Sequence, residues 1–168
     1  VPDRVALNGY NPYWRLALEH QWDDGKHSAM IGTYGMSIEQ YPDALTQSGP
    51  PNRFRDTADD AQYQYITDRH RFSAQLNWIN EKQNWDAGFP LGATSNASDT
   101  LRTFRGKATY YFDRAYGVSV GYSSTSGNTD DTLYNTGNGI TGSAAGSPKS
   151  SSYILELNYL PVRDVRLV

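Results

Sequence analysis

A strict alternation of apolar and polar residues recurs along this chain and limits its fold more than any other feature. The stretch Tyr13 to Trp22, YWRLALEHQW, places Trp14, Leu16, Leu18 and Trp22 on every second position. In an extended strand successive side chains point to opposite faces, whereas a helix mixes the two sets. The stretch is therefore predicted to be a strand with one apolar and one polar face.

Similar segments follow at intervals, so the chain is predicted to form a series of hairpins. Strands are expected near residues 13–22, 28–40, 60–66, 71–82, 101–112, 116–124, 152–160 and 165–168. Short turn sequences (DDGKH, TDRH, DRA and PVRD) alternate with long polar connections over residues 41–57, 83–100 and 125–150. The 13 tyrosines and the lack of helical periodicity also favour β structure. We predict one all-β unit, residues 1–168, built as an antiparallel up-and-down meander of about eight strands.

Composition excludes several classes of function. The net charge of -3 and the scattered Lys and Arg residues leave no basic stripe for nucleic acid. The absence of cysteine excludes disulfides, thiolate metal sites, a cysteine nucleophile and covalent CxxCH haem attachment within this chain. No cofactor is predicted. The mean hydropathy of -0.69 does not exclude a membrane barrel, because only alternate residues of each strand need be apolar.

Aromatic residues lie near the ends of the predicted strands and bracket smaller apolar residues on the same face. Six to eight residues of a tilted strand span roughly 15 to 20 Å. Two aromatic girdles around a lipid-facing band explain this placement. The girdle residues are Trp14, Trp22, Phe72, Trp78, Phe104, Tyr110, Phe112, Tyr116, Tyr122, Tyr153 and Tyr159. We therefore predict a transmembrane β-barrel.

The opposite face of the strands carries many charged residues. A dry protein core could hold them only if all were paired, whereas a water-filled lumen tolerates them. The predicted lumen and selectivity residues are Arg15, Glu19, Glu81, Arg105, Lys107, Glu156 and Arg166. Opposite charges on facing walls would select polar solutes, although the same charges could also be paired inside a plugged barrel. A soluble sandwich also gives alternation, but it predicts neither paired girdles nor alternating short and long connections.

The chain resembles the Gram-negative outer-membrane β-barrel (porin-like) proteins along nearly all of its length. The resemblance is carried by NPYWRLALEHQW, IGTYGM, DRHRFSAQLNWI and YYFDRAYGVSVGY. These segments are similar to the C-terminal barrel part of uncharacterised proteobacterial envelope proteins, some of which are accompanied by cytochromes. The resemblance implies outer-membrane lipid around the barrel, short periplasmic turns, long extracellular loops, and either passage of solutes or a scaffold role.

The direction of the first strand suggests that a larger barrel contains this chain. Barrels of the porin-like family begin and end in the periplasm, yet the first strand here leads into a short turn. The chain also lacks the terminal aromatic residue that usually closes such barrels. We expect an odd number of strands before Val1 and continuation of the last strand past Val168. The lumen would then be wider than that of an eight-stranded barrel, which side chains fill.

Other groups with potential chemistry are few. His20, His27 and His70 lie near the short-turn end, where they could ligate a metal or contact a periplasmic cytochrome. Asp23 and Asp24 precede His27, but no serine nucleophile accompanies them, and we predict that the chain is not an enzyme.

The polar segment GNTDDTLYNTGNG, residues 127–139, lacks the spacing of a known calcium loop. We expect it to be a mobile surface loop.

Three functions remain open on the sequence alone. The first is an outer-membrane porin-like conduit for small polar solutes. The second is a barrel that sheathes or scaffolds a periplasmic electron-transfer partner such as a cytochrome. The third is a soluble ligand-binding β-barrel.

Overall fold

A computed structural model describes residues 5–45, 47–135 and 145–160 of the chain. The described part contains no helix and eight strands. They are β1 (Ala6–Leu7), β2 (Tyr13–Trp22), β3 (His27–Tyr41), β4 (Asn52–Ile66), β5 (His70–Asn84), β6 (Ser98–Phe112), β7 (Tyr116–Gly127) and β8 (Ser150–Tyr159). All neighbouring strands pair antiparallel, which confirms the predicted all-β up-and-down sheet. The strand predicted at 165–168 lies outside the described residues.

The sheet is open rather than closed into a barrel. Its order is β1-β3-β4-β5-β6-β7-β8, and β2 pairs with the same edge of β3 as the two-residue strand β1. The backbone leaves the edge of β3 between these strands, where Gly9 has a φ of 58°. Within the described residues, β2 and β8 do not pair with each other.

Connections of two kinds lie at opposite ends of the sheet. The short turns cover residues 23–26, 67–69 and 113–115. Asp23 and Asp24 have φ values of 53° and 52° in the first of them, and Asp residues tolerate this left-handed conformation better than most. The long connections cover residues 42–51, 85–97 and 128–149.

Most strands extend further towards the long connections than the sequence predicted. The largest difference is in β4, predicted near 60–66, which begins at Asn52. The predicted long connections over 41–57 and 83–100 are correspondingly shorter. Arg53, Arg55, Asp56 and Asp59 place charge on both faces of β4, so this part of the strand lacks the alternation on which the prediction depended.

The register divides the side chains between two faces. One face bears a groove with a volume of about 680 Å³, lined by residues from six strands, β3 to β8. Since the groove reaches from Tyr34 to Ser152, the sheet curls towards this side, which we name the concave face. The convex face carries Trp14, Leu16 and Leu18. Among the described residues the buried apolar side chains are Ala58, Tyr134 and Pro148, and the last two lie outside the strands, so the sheet has almost no apolar core of its own.

Candidate functional site

The concave face collects the charged residues that the sequence assigned to a lumen. In the register, six of them lie on this face, namely Arg15, Glu19, Glu81, Arg105, Lys107 and Glu156. Arg166 lies outside the described residues. Met30, Tyr34, Met36 and Ile38 of β3 share the concave face, whereas Ile31 points to the convex face. The apolar side of β3 is therefore reversed relative to its neighbours.

An ion pair connects two walls of the concave face. Arg15 Nη2 lies 2.6 Å from Asp60 Oδ2, although β3 runs between the strands that carry these residues. The side chains meet above Gly32, where no Cβ separates them. The Arg15 guanidinium also lies 5.6 Å from the centre of the Tyr34 ring, whose hydroxyl accepts a hydrogen bond from Asn77. Sequence reasoning missed Asp60, although alternation extended back from Tyr63 places it on this face.

Two cations line the groove without a carboxylate partner. Arg105 and Lys107 are alternate residues of β6 and both line the groove. Within the described part of the chain, neither forms an ion pair. Their register neighbours on β5 are the neutral Asn77 and Gln75. Since Arg15 offsets Asp60, the centre of the groove carries excess positive charge.

Carboxylates lie on either side of this positive zone. Glu19 accepts hydrogen bonds from Gln21 and Ser28. Towards the long connections, Glu81 lies opposite Asp56 in the register and accepts a hydrogen bond from Gln83. Acidic and basic zones therefore alternate along the concave face.

The convex face carries the aromatic residues in two rows. All eleven residues predicted as girdles lie on it. The lower row, nearest the short turns, contains Trp22, Phe72, Tyr110, Phe112, Tyr116 and Tyr159, and the upper row contains Trp14, Trp78, Phe104, Tyr122 and Tyr153. Consecutive rings of the upper row from Trp78 onward lie 6.0, 6.2 and 4.9 Å apart between centroids. The rings of the upper row therefore lie side by side on neighbouring strands, from β5 to β8.

Exposed aliphatic side chains fill the band between the two rows. They are Leu16, Leu18, Ile31, Leu76, Val118, Val120, Leu155 and Leu157, with exposed fractions from 37% to 72%. Asp59 is a carboxylate on this face and pairs with Trp78 in the register, at the level of the upper row.

The three histidines lie beside the aromatic residues of the lower row and do not form one metal site. His20 stacks on Trp22, His27 Nδ1 lies 2.7 Å from the Tyr63 hydroxyl, and His70 Nδ1 lies 2.7 Å from the Tyr110 hydroxyl. His27 and His70 are thus held by aromatic partners in different hairpins. In residues 5–45, 47–135 and 145–160, no three His, Cys, Asp or Glu side chains converge as a metal site would require.

The described parts of the connections 85–97 and 128–149 form a hydrogen-bonded cap at the other end of the sheet. Asp130, only 1% exposed, accepts hydrogen bonds from the backbone N–H groups of Ser95 and Asn96 at Oδ2 and of Thr132 and Leu133 at Oδ1. Burial raises the pKa of Asp130, but the four N–H donors outweigh this effect and lower the pKa below its ordinary value of 3.8. Its oxygens therefore bind N–H groups and are not arranged for a calcium ion.

Other buried polar groups tie the cap to the strands. Asn52 Oδ1 accepts hydrogen bonds from the backbone N–H groups of Ala87 and Gly88, each at 3.0 Å. Asp99 accepts one from the indole of Trp85. Burial, reinforced by nearby carboxylates, raises the pKa of Tyr134 to about 12. The segment predicted to be a mobile loop is described over residues 127–135, and its Asp130 is hydrogen-bonded to residues 95 and 96. Residues 136–139 of that segment lie outside the described chain.

Comparison with known proteins finds no matching protein family, no matching curated protein and no matching solved structure. Over the described residues, no helix is long and apolar enough to cross a membrane.

Proposed function

We propose that this sheet forms part of the wall of a closed transmembrane β-barrel in a bacterial outer membrane. The concave face would line a water-filled lumen, and the convex face would contact lipid. The barrel would act as a porin-like conduit, through which small polar solutes diffuse past zones of alternating charge.

The observation that carries this proposal is the exposed apolar band between two aromatic rows. Leu18 is 67% exposed and Leu155 is 72% exposed, and both lie between rings that mark the ends of the band. Water-soluble monomers rarely expose apolar patches of this kind, which indicate a surface that contacts protein or lipid. Aromatic rows at both edges favour lipid, because such rings prefer membrane interfaces.

The dimensions support the same assignment. The rows are separated by eight residues between Trp14 and Trp22 and by six between Phe72 and Trp78. Strands of β3 to β6 contain 15 residues each, more than the 9 to 11 or so that cross a bilayer. The excess lies beyond the upper row, where the convex face becomes polar. These strands can therefore cross a membrane and project on the side of the long connections.

The open edges favour a closed barrel over an isolated sheet. A strand edge in lipid leaves N–H and C=O groups without hydrogen-bond partners, which costs several kcal/mol for each group. The edges at β2 and β8 would therefore be paired in the complete barrel. A wider barrel leaves the concave charges in water, where Arg105 and Lys107 need no carboxylate partner.

Conductance in planar lipid bilayers tests the proposal. The purified protein is expected to give ohmic current steps and to show heat-modifiable gel mobility after detergent extraction. Heat-modifiable protein without current steps, together with a co-purifying haem protein, would support a sheath for an electron-transfer partner. Protein that remains in the aqueous phase without detergent would support a soluble barrel and contradict the membrane assignment.

A further inference from the structure

The convex face changes from apolar to basic just beyond the upper aromatic row. Four exposed cations lie there, Arg53 and Arg55 on β4, Lys82 on β5 and Arg102 on β6. Lys82 is four residues beyond Trp78 along β5, which corresponds to about 10 Å across the membrane for a tilted strand. If the apolar band lies in the hydrocarbon layer, these cations lie among the lipid headgroups.

Two of these cations face each other directly. Arg55 pairs with Lys82 in the register, and Arg102 lies diagonally beside Lys82 because its own partner is Asn80. Like charges at directly opposed positions of an antiparallel pair are destabilising. An anion bound between them would remove this repulsion.

The carboxylates at this level of the convex face lie near Arg53 and not near the facing pair of Arg55 and Lys82. Arg53 Nε lies 2.7 Å from Asp86 Oδ2, and Glu39 is opposite Arg53 in the register. Over the part of the chain that the structure describes, Arg55, Lys82 and Arg102 form no ion pair. Asp56 and Glu81 are adjacent in sequence to Arg55 and Lys82 but point to the concave face. We name Arg55, Lys82 and Arg102 the basic triad.

We propose that the basic triad binds the phosphate of an anionic lipid headgroup in the leaflet on the side of the long connections. This inference rests on the proposed function, because the band must be in lipid for the triad to reach headgroups. Guanidinium groups bind phosphate oxygens through paired N–H donors, and the Lys82 ammonium adds a third positive charge. The exposed Leu76 and Trp78 lie below on the same strand, where the acyl chains of that lipid would pack.

Lipid retention measured by native mass spectrometry tests this site. The protein is reconstituted in equimolar phosphatidylglycerol and phosphatidylcholine, extracted in mild detergent, and examined for bound phosphatidylglycerol. The variant Arg55→Gln/Lys82→Gln is expected to bind phosphatidylglycerol roughly ten- to thirtyfold more weakly than the unmodified protein. The matched control Arg105→Gln/Lys107→Gln removes the same residue types from the concave face and should retain the lipid as the unmodified protein does.

Several results would overturn the inference. Equal phosphatidylglycerol retention by the unmodified protein and Arg55→Gln/Lys82→Gln would do so, as would equal losses in both double variants. Displacement of the lipid by inorganic phosphate at equal concentration would indicate a site for a free anion instead.

Two further measurements distinguish loss of the lipid site from misfolding of the double variant. The single variant Arg102→Gln is expected to weaken retention with normal heat-modifiable mobility. The unmodified protein alone should prefer phosphatidylglycerol to phosphatidylcholine, and the preference should fall as salt is raised. If the unmodified protein gives current steps but Arg55→Gln/Lys82→Gln retains phosphatidylglycerol equally well, only the lipid site is contradicted. A protein that does not enter membranes would contradict the proposed function as well.

Discussion

Arg15 and Asp60 form an ion pair of 2.6 Å across the bare backbone of Gly32 on the concave face. Asp60 Oδ1 packs against Gly32 and, among the described residues, has no hydrogen-bond partner. The pair keeps one positive and one negative charge together beside the groove. In the proposed conduit, the unpaired Arg105 and Lys107 would then be the charges that passing ions meet at the centre of the groove.

Breaking the Arg15–Asp60 pair is expected to change ion selectivity in opposite directions. Asp60→Asn leaves Arg15 unpaired and should increase the permeability of chloride relative to potassium. Arg15→Gln leaves the Asp60 carboxylate unpaired and should decrease it. Each change should reach at most about fivefold, the effect of one unit charge at about 4 Å in water. Reversal potentials in a potassium chloride gradient measure both variants, and shifts of the same sign would contradict this role.

Removing the unpaired cations is expected to have a larger effect. Arg105→Gln/Lys107→Gln should shift the reversal potential towards potassium by more than Arg15→Gln does, because two uncompensated charges are lost from the centre of the groove. Glu81→Gln removes a negative charge from the same face and should shift it the other way. A reversal potential unchanged in the double variant would show that these side chains do not line the conducting path.

The division of residues between the two faces could be predicted from sequence, because it follows from the period of a strand. The alternation in β5 is enough to place Phe72 and Trp78 on the same face, because it does not depend on the neighbouring strands. It failed in the first half of β4, since charges occupy both faces where the strand projects beyond the upper row. The reversal of β3 was also missed. Only the pairing of β3 with β2 shows that Tyr34 lies opposite Arg15, so that the apolar side of β3 is on the concave face.

The cap could not be predicted from local sequence. Asp130 bonds to backbone groups of Ser95 and Asn96, which are more than 30 residues away in the chain. A carboxylate in a Gly- and Ser-rich loop gives no local sign of such a partner. Asp60 was missed for a different reason, because it is the first residue of the strand predicted near 60–66 and was not assigned to either face.

Replacement of Asp130 is expected to loosen the cap. In Asp130→Asn, the amide NH₂ faces backbone N–H donors, so that at least one pair of hydrogen bonds is lost at a cost of about 2–4 kcal/mol to local stability. Hydrogen exchange of the Ser95 and Leu133 amides should accelerate accordingly. The exposed neighbour Asp131 provides the control, since Asp131→Asn should leave these amides protected. Equal exchange in both variants would contradict the role assigned to Asp130.

The same carboxylate predicts a pH dependence of the cap. Because the folded state lowers the pKa of Asp130, its contribution to stability is complete above the ordinary value of 3.8 and is lost as pH falls through the lower folded value. Protection of the Ser95 amide, corrected for intrinsic exchange, should therefore decrease below about pH 4 in the unmodified protein. It should change little with pH in Asp130→Asn. Loss of protection on raising the pH would have the wrong sign.

The most direct test of the membrane assignment compares two adjacent residues of β2. Leu18 lies in the apolar band of the convex face, and Ala17 lies on the concave face opposite Gly32. Leu18→Arg is expected to lower the free energy of unfolding in lipid vesicles by about 2–4 kcal/mol, because an arginine is placed near the middle of the bilayer. Ala17→Arg, in contact with the proposed water-filled lumen, should lower it by less than about 1 kcal/mol. A tolerated Leu18→Arg together with a strongly destabilising Ala17→Arg would mean that the concave face is a dry core, and would contradict the barrel proposed here.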